Sequence, residues 1–281
     1  MSDPSGARAS APVCYRHPDR PTYIRCQRCD RTICPQCQTQ AAVGVQCPEC
    51  VREGQAGIRR PKPAVVTAFR RGSSVPVVTY SIIALCVVIW GLQMIPGSPV
   101  TQWLLYYPPF TGAQPWRMLT ALFVHSQGSF FHIVFNMFSL FILGPILERS
   151  LGRWRFIALY LISGFGGSVA VLLISPTTPV VGASGAIFGL LGAIFIIQRK
   201  LGGNTTQLLV VIGLNLAIGF LPGTNIAWEA HVGGLVAGAA VALVYLRTRR
   251  RDQQRRQALL VAGIALALIV ITVIRFAMLV A

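Results

Sequence analysis

Residues 228–246 read WEAHVGGLVAGAAVALVYL. Beyond His231 the run is apolar as far as Tyr245, and its length matches the roughly 20 residues that a helix needs to span a bilayer. His231, Gly234 and Gly238 fall at i, i+3 and i+7, on one helical face. Small residues on such a face let a second helix approach closely in lipid. An ionisable side chain inside a bilayer is costly and turns to the bundle interior or to a wet cavity, so His231 marks the inward face. Arg247, Arg249, Arg250, Arg251, Arg255 and Arg256 follow the run directly.

Working outward, the chain from Pro76 onward is a series of comparable apolar runs broken by Pro, Gly and Arg. Seven are expected to be helices, over 76–95, 131–148, 154–174, 183–198, 206–221, 228–246 and 257–280. The composition agrees: of 281 residues, 53% are hydrophobic and only 12% charged, about half the charge of an ordinary soluble domain. A soluble globular protein is thereby excluded. The net charge of +17 admits a nucleic-acid footprint or the cytoplasmic loops of a membrane protein. Position decides. Arg149, Arg153 and Arg155 follow the second run, Arg199 and Lys200 the fourth, and the arginine cluster the sixth, while the alternate loops contain only Arg117. The positive-inside rule then places the N-terminus and the cysteine-rich segment in the cytoplasm and the C-terminus outside; the membrane is expected to be a bacterial plasma membrane.

Runs two, four and six therefore start on the outer side, and each has uncommon polar residues near that start: His132 with Asn136, Ser184, and His231. Three such groups at matching depth indicate one site. The fourth run, of about 16 residues at 1.5 Å each, covers about 24 Å, less than a hydrocarbon core of about 30 Å, so one end lies below the surface in water or protein. Its opening Gly182-Ala183-Ser184-Gly185, continued by Gly189 and Gly192, suits it as the partner of the sixth run. A serine hydroxyl is activated when a base takes its proton, and a neutral imidazole is the suitable base near pH 7. The reaction class implied is acyl transfer, with the Ser184 backbone N–H, the Asn136 amide and His132 as candidate oxyanion donors. No carboxylate offers itself as a third member. Glu148 lies at the far end of run two, and Glu229 points about 200° away from His231 on an ideal helix. A Ser-His dyad is the reading. His125 is expected in a solvated loop, and Cys86 as a small apolar residue.

Seven of the eight cysteines lie between residues 14 and 50. Cys14 with His17, Cys26 with Cys29, Cys34 with Cys37, and Cys47 with Cys50 form four pairs, each with two intervening residues. Such a pair puts two donors on one knuckle at a separation suited to tetrahedral zinc, and a segment this short needs metal to fold. A disulfide-stapled secreted module is the alternative, disfavoured because Met1 to Ala11 is Ser/Ala/Pro-rich without the apolar stretch of a signal peptide. The organisation expected is a disordered tail at 1–13, a double zinc-binding module at 14–54, a basic linker at 55–75 and a transmembrane domain at 76–281. Arg16, Arg20, Arg25, Arg28 and Arg31 give the module a basic face, read chiefly as solvated, and nucleic acid is not an expected partner.

The module resembles a B-box-type zinc finger, which implies that pairs one and three hold one ion and pairs two and four another. Spacing alone does not establish that pairing. Trp116-Arg117, His132 with Asn136, the GASG run and AHVGGLVAG, in this order and at one depth, resemble the rhomboid family of intramembrane serine proteases over residues 76 to 246. The resemblance implies an all-α polytopic six-helix core, with the run after 256 as a seventh helix. It also implies Ser184 as nucleophile, His231 as general base, and His132, Asn136 and the Ser184 backbone as oxyanion hole. Trp116 and Arg117 would support the long outer loop; Gly182, Gly185, Gly234 and Gly238 would let the helices meet. Phe188 stands where many relatives carry a tyrosine packed on the base. Substrates would be transmembrane proteins with small residues at the cut, and zinc would be structural, with no cofactor for the chemistry. The rival class is a non-catalytic rhomboid-like protein that binds client helices or partners through its zinc module.

Overall fold

The computed structural model describes residues 11–57, 75–220 and 226–281. Most of the tail expected at 1–13 and most of the linker expected at 55–75 lie outside the described residues. The chain divides into two compact units between Lys62 and Pro63.

In the N-terminal unit, two small antiparallel pairs, β1 (Val13–Cys14) with β2 (His17–Pro21) and β3 (Thr39–Gln40) with β4 (Val45–Gln46), precede helix α1 (Pro48–Gly57). Its core consists of six buried cysteines around one fully buried isoleucine, Ile33, with Tyr15 and Val45 packed against them. So little apolar surface cannot offset the chain entropy of some forty residues, and this is why the unit depends on its side-chain clusters. Asp30, directly after Cys29, has φ 60°, a left-handed turn that Asp tolerates better than most residues.

In the second unit, helices lie on all seven of the apolar runs: α2 (Val77–Gln93), α5 (Phe130–Leu151), α6 (Arg153–Ile174), α7 (Ser184–Lys200), α8 (Thr206–Gly219), α9 (Trp228–Arg247) and α10 (Gln254–Val280). Among the described residues, four helices are long and apolar enough to cross a membrane: α5, α6, α9 and the one ending at Val280. The segment between α2 and α5 is folded, with short helices α3 (Val100–Leu104) and α4 (Arg117–Thr120) and two single-turn 3-10 segments.

The centre of the unit is α6, α7 and α9. In lipid, helix association gains little from hydrophobicity and depends on close packing, and here backbone meets backbone. Gly185 faces Ala230 and Gly234, Gly189 faces Gly234 and Gly238, and Gly192 faces Leu235 and Ala239. Both series rise together, so α7 and α9 run parallel. Gly167 faces Ala230 while Gly166 faces Gly233 and Ala237, so α6 runs antiparallel to α9.

The outer helices are fixed by polar contacts. Buried Glu148 on α5 accepts hydrogen bonds from the backbone N–H groups of Val78 (3.0 Å) and Thr79 (2.8 Å) and from the Thr79 hydroxyl (2.7 Å). It thus satisfies the free donors at the start of α2, where the helix dipole favours an anion. On α10, the Gln257 amide donates to the Thr248 carbonyl at 3.0 Å and accepts from Arg155 at 2.6 Å.

Candidate functional site

His132, Ser184 and His231 each lie in the first turn of their helices, α5, α7 and α9. The approach to Ser184 is fixed from outside the helix. Val180 pairs with Tyr106 through two backbone hydrogen bonds of 3.1 and 2.8 Å, and the Gly182 N–H donates to the Ala121 carbonyl at 2.9 Å. Gly182 then takes φ 121°, in the left-handed half of conformational space where a side chain is strained. A side chain is also excluded there by contact, since a methyl group on Gly182 would stand 2.8 Å from Nε2 of His132 and 3.8 Å from the Ser184 hydroxyl. One glycine thus lets a left-handed turn, an imidazole and a hydroxyl share one point. Ser184 is the first residue of α7, so its N–H is among the donors that a helix leaves unpaired at its N-terminus, where the dipole favours negative charge.

His231 is buried on α9 and lies flat on Phe188, with ring centroids 4.1 Å apart and planes within 7°. Phe188 is one turn beyond Ser184, so the stack aligns the imidazole with the opening turn of α7. Nδ1 of His231 is buried and has no hydrogen-bond partner among the described residues. Glu229, the nearest carboxylate in sequence, turns away and accepts a hydrogen bond from the Ser175 hydroxyl.

On α5, Nδ1 of His132 accepts the backbone N–H of Ser126 at 3.1 Å. The Asn136 amide donates back to the His132 carbonyl at 2.7 Å, and its own Oδ1 is buried without a partner among the described residues. One of the two Asn136 donors is therefore engaged within the helix. His125 departs from expectation: it is not in a solvated loop but fully buried, its ring 5.4 Å from that of His132. The polypeptide before α5 folds inward because Gln93 ties the His125 backbone to the end of α2, a contact that no sequence spacing advertises. Arg117 is buried with its guanidinium 5.7 Å from the Phe110 ring, while the Trp116 side chain is about half exposed at 54%. Cys86 is fully buried in the main core.

A sequence model of the rhomboid domain matches residues 112–248. The rhomboid protein YdcA of Bacillus subtilis is 33% identical over 186 residues, 63% of this chain and 92% of the relative. The chain belongs to the rhomboid family. Rhomboid protease GluP of the same bacterium is 38% identical over 181 residues, 60% of this chain and 35% of that protein. RHOMBOID-like protein 5 of Arabidopsis thaliana is 42% identical over 141 residues, 47% of this chain and 44% of its own length. The matches thus span between about a third and under half of GluP and of several plant rhomboid-like proteins. This rhomboid is an integral membrane protein, and His132, Ser184 and His231 all lie inside the matched domain.

The second candidate site is the N-terminal unit. Cys14, His17, Cys34 and Cys37 form one cluster and Cys26, Cys29, Cys47 and Cys50 another, with all ligand atoms of a set within 4.8 Å of one another. This is the interleaved arrangement, pairs one with three and two with four. Nδ1 of His17 is 3.5 Å from the Cys34 and Cys37 sulfurs and 3.7 Å from that of Cys14; the Cys29 and Cys47 sulfurs are 3.7 Å apart. Tetrahedral zinc, with Zn–S near 2.3 Å and Zn–N near 2.0–2.1 Å, requires about 3.8 Å between sulfurs and about 3.6 Å between sulfur and nitrogen. The donor sets fit the ion. Burial opposes ionisation of Cys14 and Cys26, but backbone N–H donors, at Cys34 and Arg16 for the first and at Cys47 and Arg28 for the second, outweigh it and bring both thiols down to about 6. Burial, reinforced by the neighbouring sulfurs, pushes Cys37 up to about 11. Arg31 adds positive charge at the all-cysteine set, with Nε 3.3 Å from the Cys29 sulfur and a 2.6 Å ion pair to Glu49.

Proposed function

We propose that this rhomboid is an intramembrane serine endopeptidase that hydrolyses peptide bonds in or near transmembrane helices of other membrane proteins through a Ser184–His231 dyad. The observation that carries the reading is the placement of His231 flat on Phe188, one turn from Ser184, by helices whose glycine backbones touch. His231 takes the Ser184 proton as the hydroxyl oxygen bonds to the scissile carbonyl carbon. The resulting oxyanion is stabilised by the Ser184 N–H, His132 and Asn136. The imidazolium then protonates the leaving amine as the C–N bond breaks, and a water molecule, deprotonated by the same imidazole, releases the acyl group and restores the serine. The absence of an acidic partner on His231 Nδ1 among the described residues supports a dyad rather than a triad.

Basic residues in the last turns of α5, α7 and α9 (Arg149, Arg199 with Lys200, and Arg247) support an orientation with those ends and the N-terminus in the cytoplasm and the C-terminus outside. The module at 14–54 would then be cytoplasmic and hold two structural zinc ions, joined by the basic linker at 55–75 to the membrane domain at 76–281. Zinc there organises the fold; the membrane site's own chemistry uses side chains and backbone only. Trp116 and Arg117 would brace the outer loop.

Purified protein incubated with a panel of single-span substrates in bilayers, beside Ser184→Ala and His231→Ala, tests the proposal. Cleavage is expected for the parent only, with a fluorophosphonate labelling Ser184. Persistent cleavage by Ser184→Ala would refute the dyad, and absence of cleavage and labelling in folded parent protein would favour the client-binding class. Reporter fusions after residues 60, 200 and 250 should all register cytoplasm.

A further inference from the structure

We propose that Gln93 is a positioning residue that fixes which nitrogen of His132 carries the proton, acting through the peptide unit between His125 and Ser126. The inference rests on the reading of His132 as an oxyanion donor. A neutral imidazole has one N–H and one lone pair, and the hydrogen bond made at one nitrogen selects the state of the other. Nδ1 of His132 accepts the Ser126 N–H at 3.1 Å, so the proton resides on Nε2. Nε2 and its neighbour Cε1 form the ring edge that approaches Gly182, beside Ser184, so that edge presents an N–H and not a lone pair toward the place where the oxyanion forms. In the opposite tautomer the lone pair would repel that charge, and a donor of this kind contributes about 10²–10³-fold to kcat.

The Ser126 N–H belongs to the same planar peptide unit as the His125 carbonyl, and that carbonyl is held from the other side. Buried Gln93, the last residue of α2, donates to the His125 carbonyl through Nε2 at 2.8 Å and accepts the His125 N–H at Oε1 at 3.0 Å. Its second amide proton goes to the Thr101 hydroxyl at 2.8 Å, which leaves the amide one orientation. The Gln127 side chain donates to the Gln93 carbonyl at 2.5 Å and accepts from the Thr101 hydroxyl at 3.2 Å, closing the ring. A peptide plane clamped on its carbonyl side presents its N–H in a fixed direction. A buried glutamine at the end of a membrane helix is otherwise costly, and its position is explained by this clamp.

The chain has four histidines, so 15N-histidine labelling resolves His132 in bilayer-embedded protein, with His132→Ala as the assignment control. The parent is expected to show neutral His132 protonated at Nε2. Gln93→Met, similar in length but without the amide, is expected to shift His132 toward the Nδ1–H tautomer and to lower kcat by about 10–100-fold with KM nearly unchanged. If Gln93→Met does not fold, Gln93→Glu, which keeps the acceptor for the His125 N–H but loses the donor to its carbonyl, carries the same two measurements with a smaller effect. An Nδ1–H tautomer in the parent would overturn the proposal. So would a folded Gln93 variant with unchanged tautomer and kcat, or one in which KM alone rises. Failure of the protease reading is seen separately, as cleavage by Ser184→Ala, and leaves the tautomer measurement standing.

Discussion

Replacing Gly192 by alanine tests whether backbone contact between α7 and α9 sets the site. The added methyl would stand 2.5 Å from the Leu235 carbonyl oxygen and 3.3 Å from the Ala239 nitrogen. Ordinary C···O approaches are no closer than about 3.3 Å, so the two helices must separate by about 0.8 Å at that level. Both obstacles are helical backbone and cannot rotate away. Overpacking of this kind costs about 1–3 kcal/mol, against a gain of about 1 kcal/mol from alanine's helix propensity. At Gly213 and Gly263 an added methyl meets no atom within 4 Å, so the same substitution there brings only the gain. Thermal unfolding in one detergent should therefore place Gly192→Ala several degrees below the parent and Gly213→Ala and Gly263→Ala at or above it. Displacement of a reacting group by about 1 Å costs about 10²-fold, so Gly192→Ala should lose about 10–100-fold in cleavage rate even where it is folded. Gly234→Ala, whose methyl would overlap the Gly185 carbonyl, should be worse than Gly192→Ala in both assays. Equal melting temperatures and rates across the four variants would refute the reasoning.

Further outcomes follow from other contacts. Glu148→Ala leaves three donors at the start of α2 unpaired and should cost about 2–4 kcal/mol, seen as a lower melting temperature, with Glu148→Gln intermediate because an amide retains one acceptor. Phe188→Leu removes the flat surface under His231 and should lower kcat about tenfold or more, whereas Phe188→Tyr should keep most activity; equal rates for both would show that the stack does not orient the base. Metal analysis of reduced protein should give about two zinc ions per chain, with Cys14→Ser and Cys26→Ser each losing about one, and a chelator should abolish the ordered structure of the N-terminal unit while leaving the membrane helices intact.

The sequence alone determined the helical class and the apolar runs, and it singled out the polar residues proposed for the site, because each is written locally. A bilayer demands about 20 apolar residues in succession, polar atoms within such runs are too costly to be incidental, and paired cysteines two residues apart have few uses besides metal. Even the helix ends differ little from expectation; α2 stops at Gln93 rather than 95, and α7 continues to Lys200, while the end expected for α8 at 221 lies outside the described residues. What only the tertiary structure decided are contacts between residues far apart in the chain, for which no spacing rule exists. The sequence placed Glu148 at a helix end but not as the cap of α2, 69 residues earlier. It placed His125 in water, while Gln93 draws that backbone inside across 32 residues. The interleaving of the two cysteine and histidine clusters likewise followed from which knuckles meet in space, since four equal pairs can be matched in several ways. Periodicity and composition report what one helix or one knuckle requires of its surroundings; which partner meets the requirement is decided when the elements pack together.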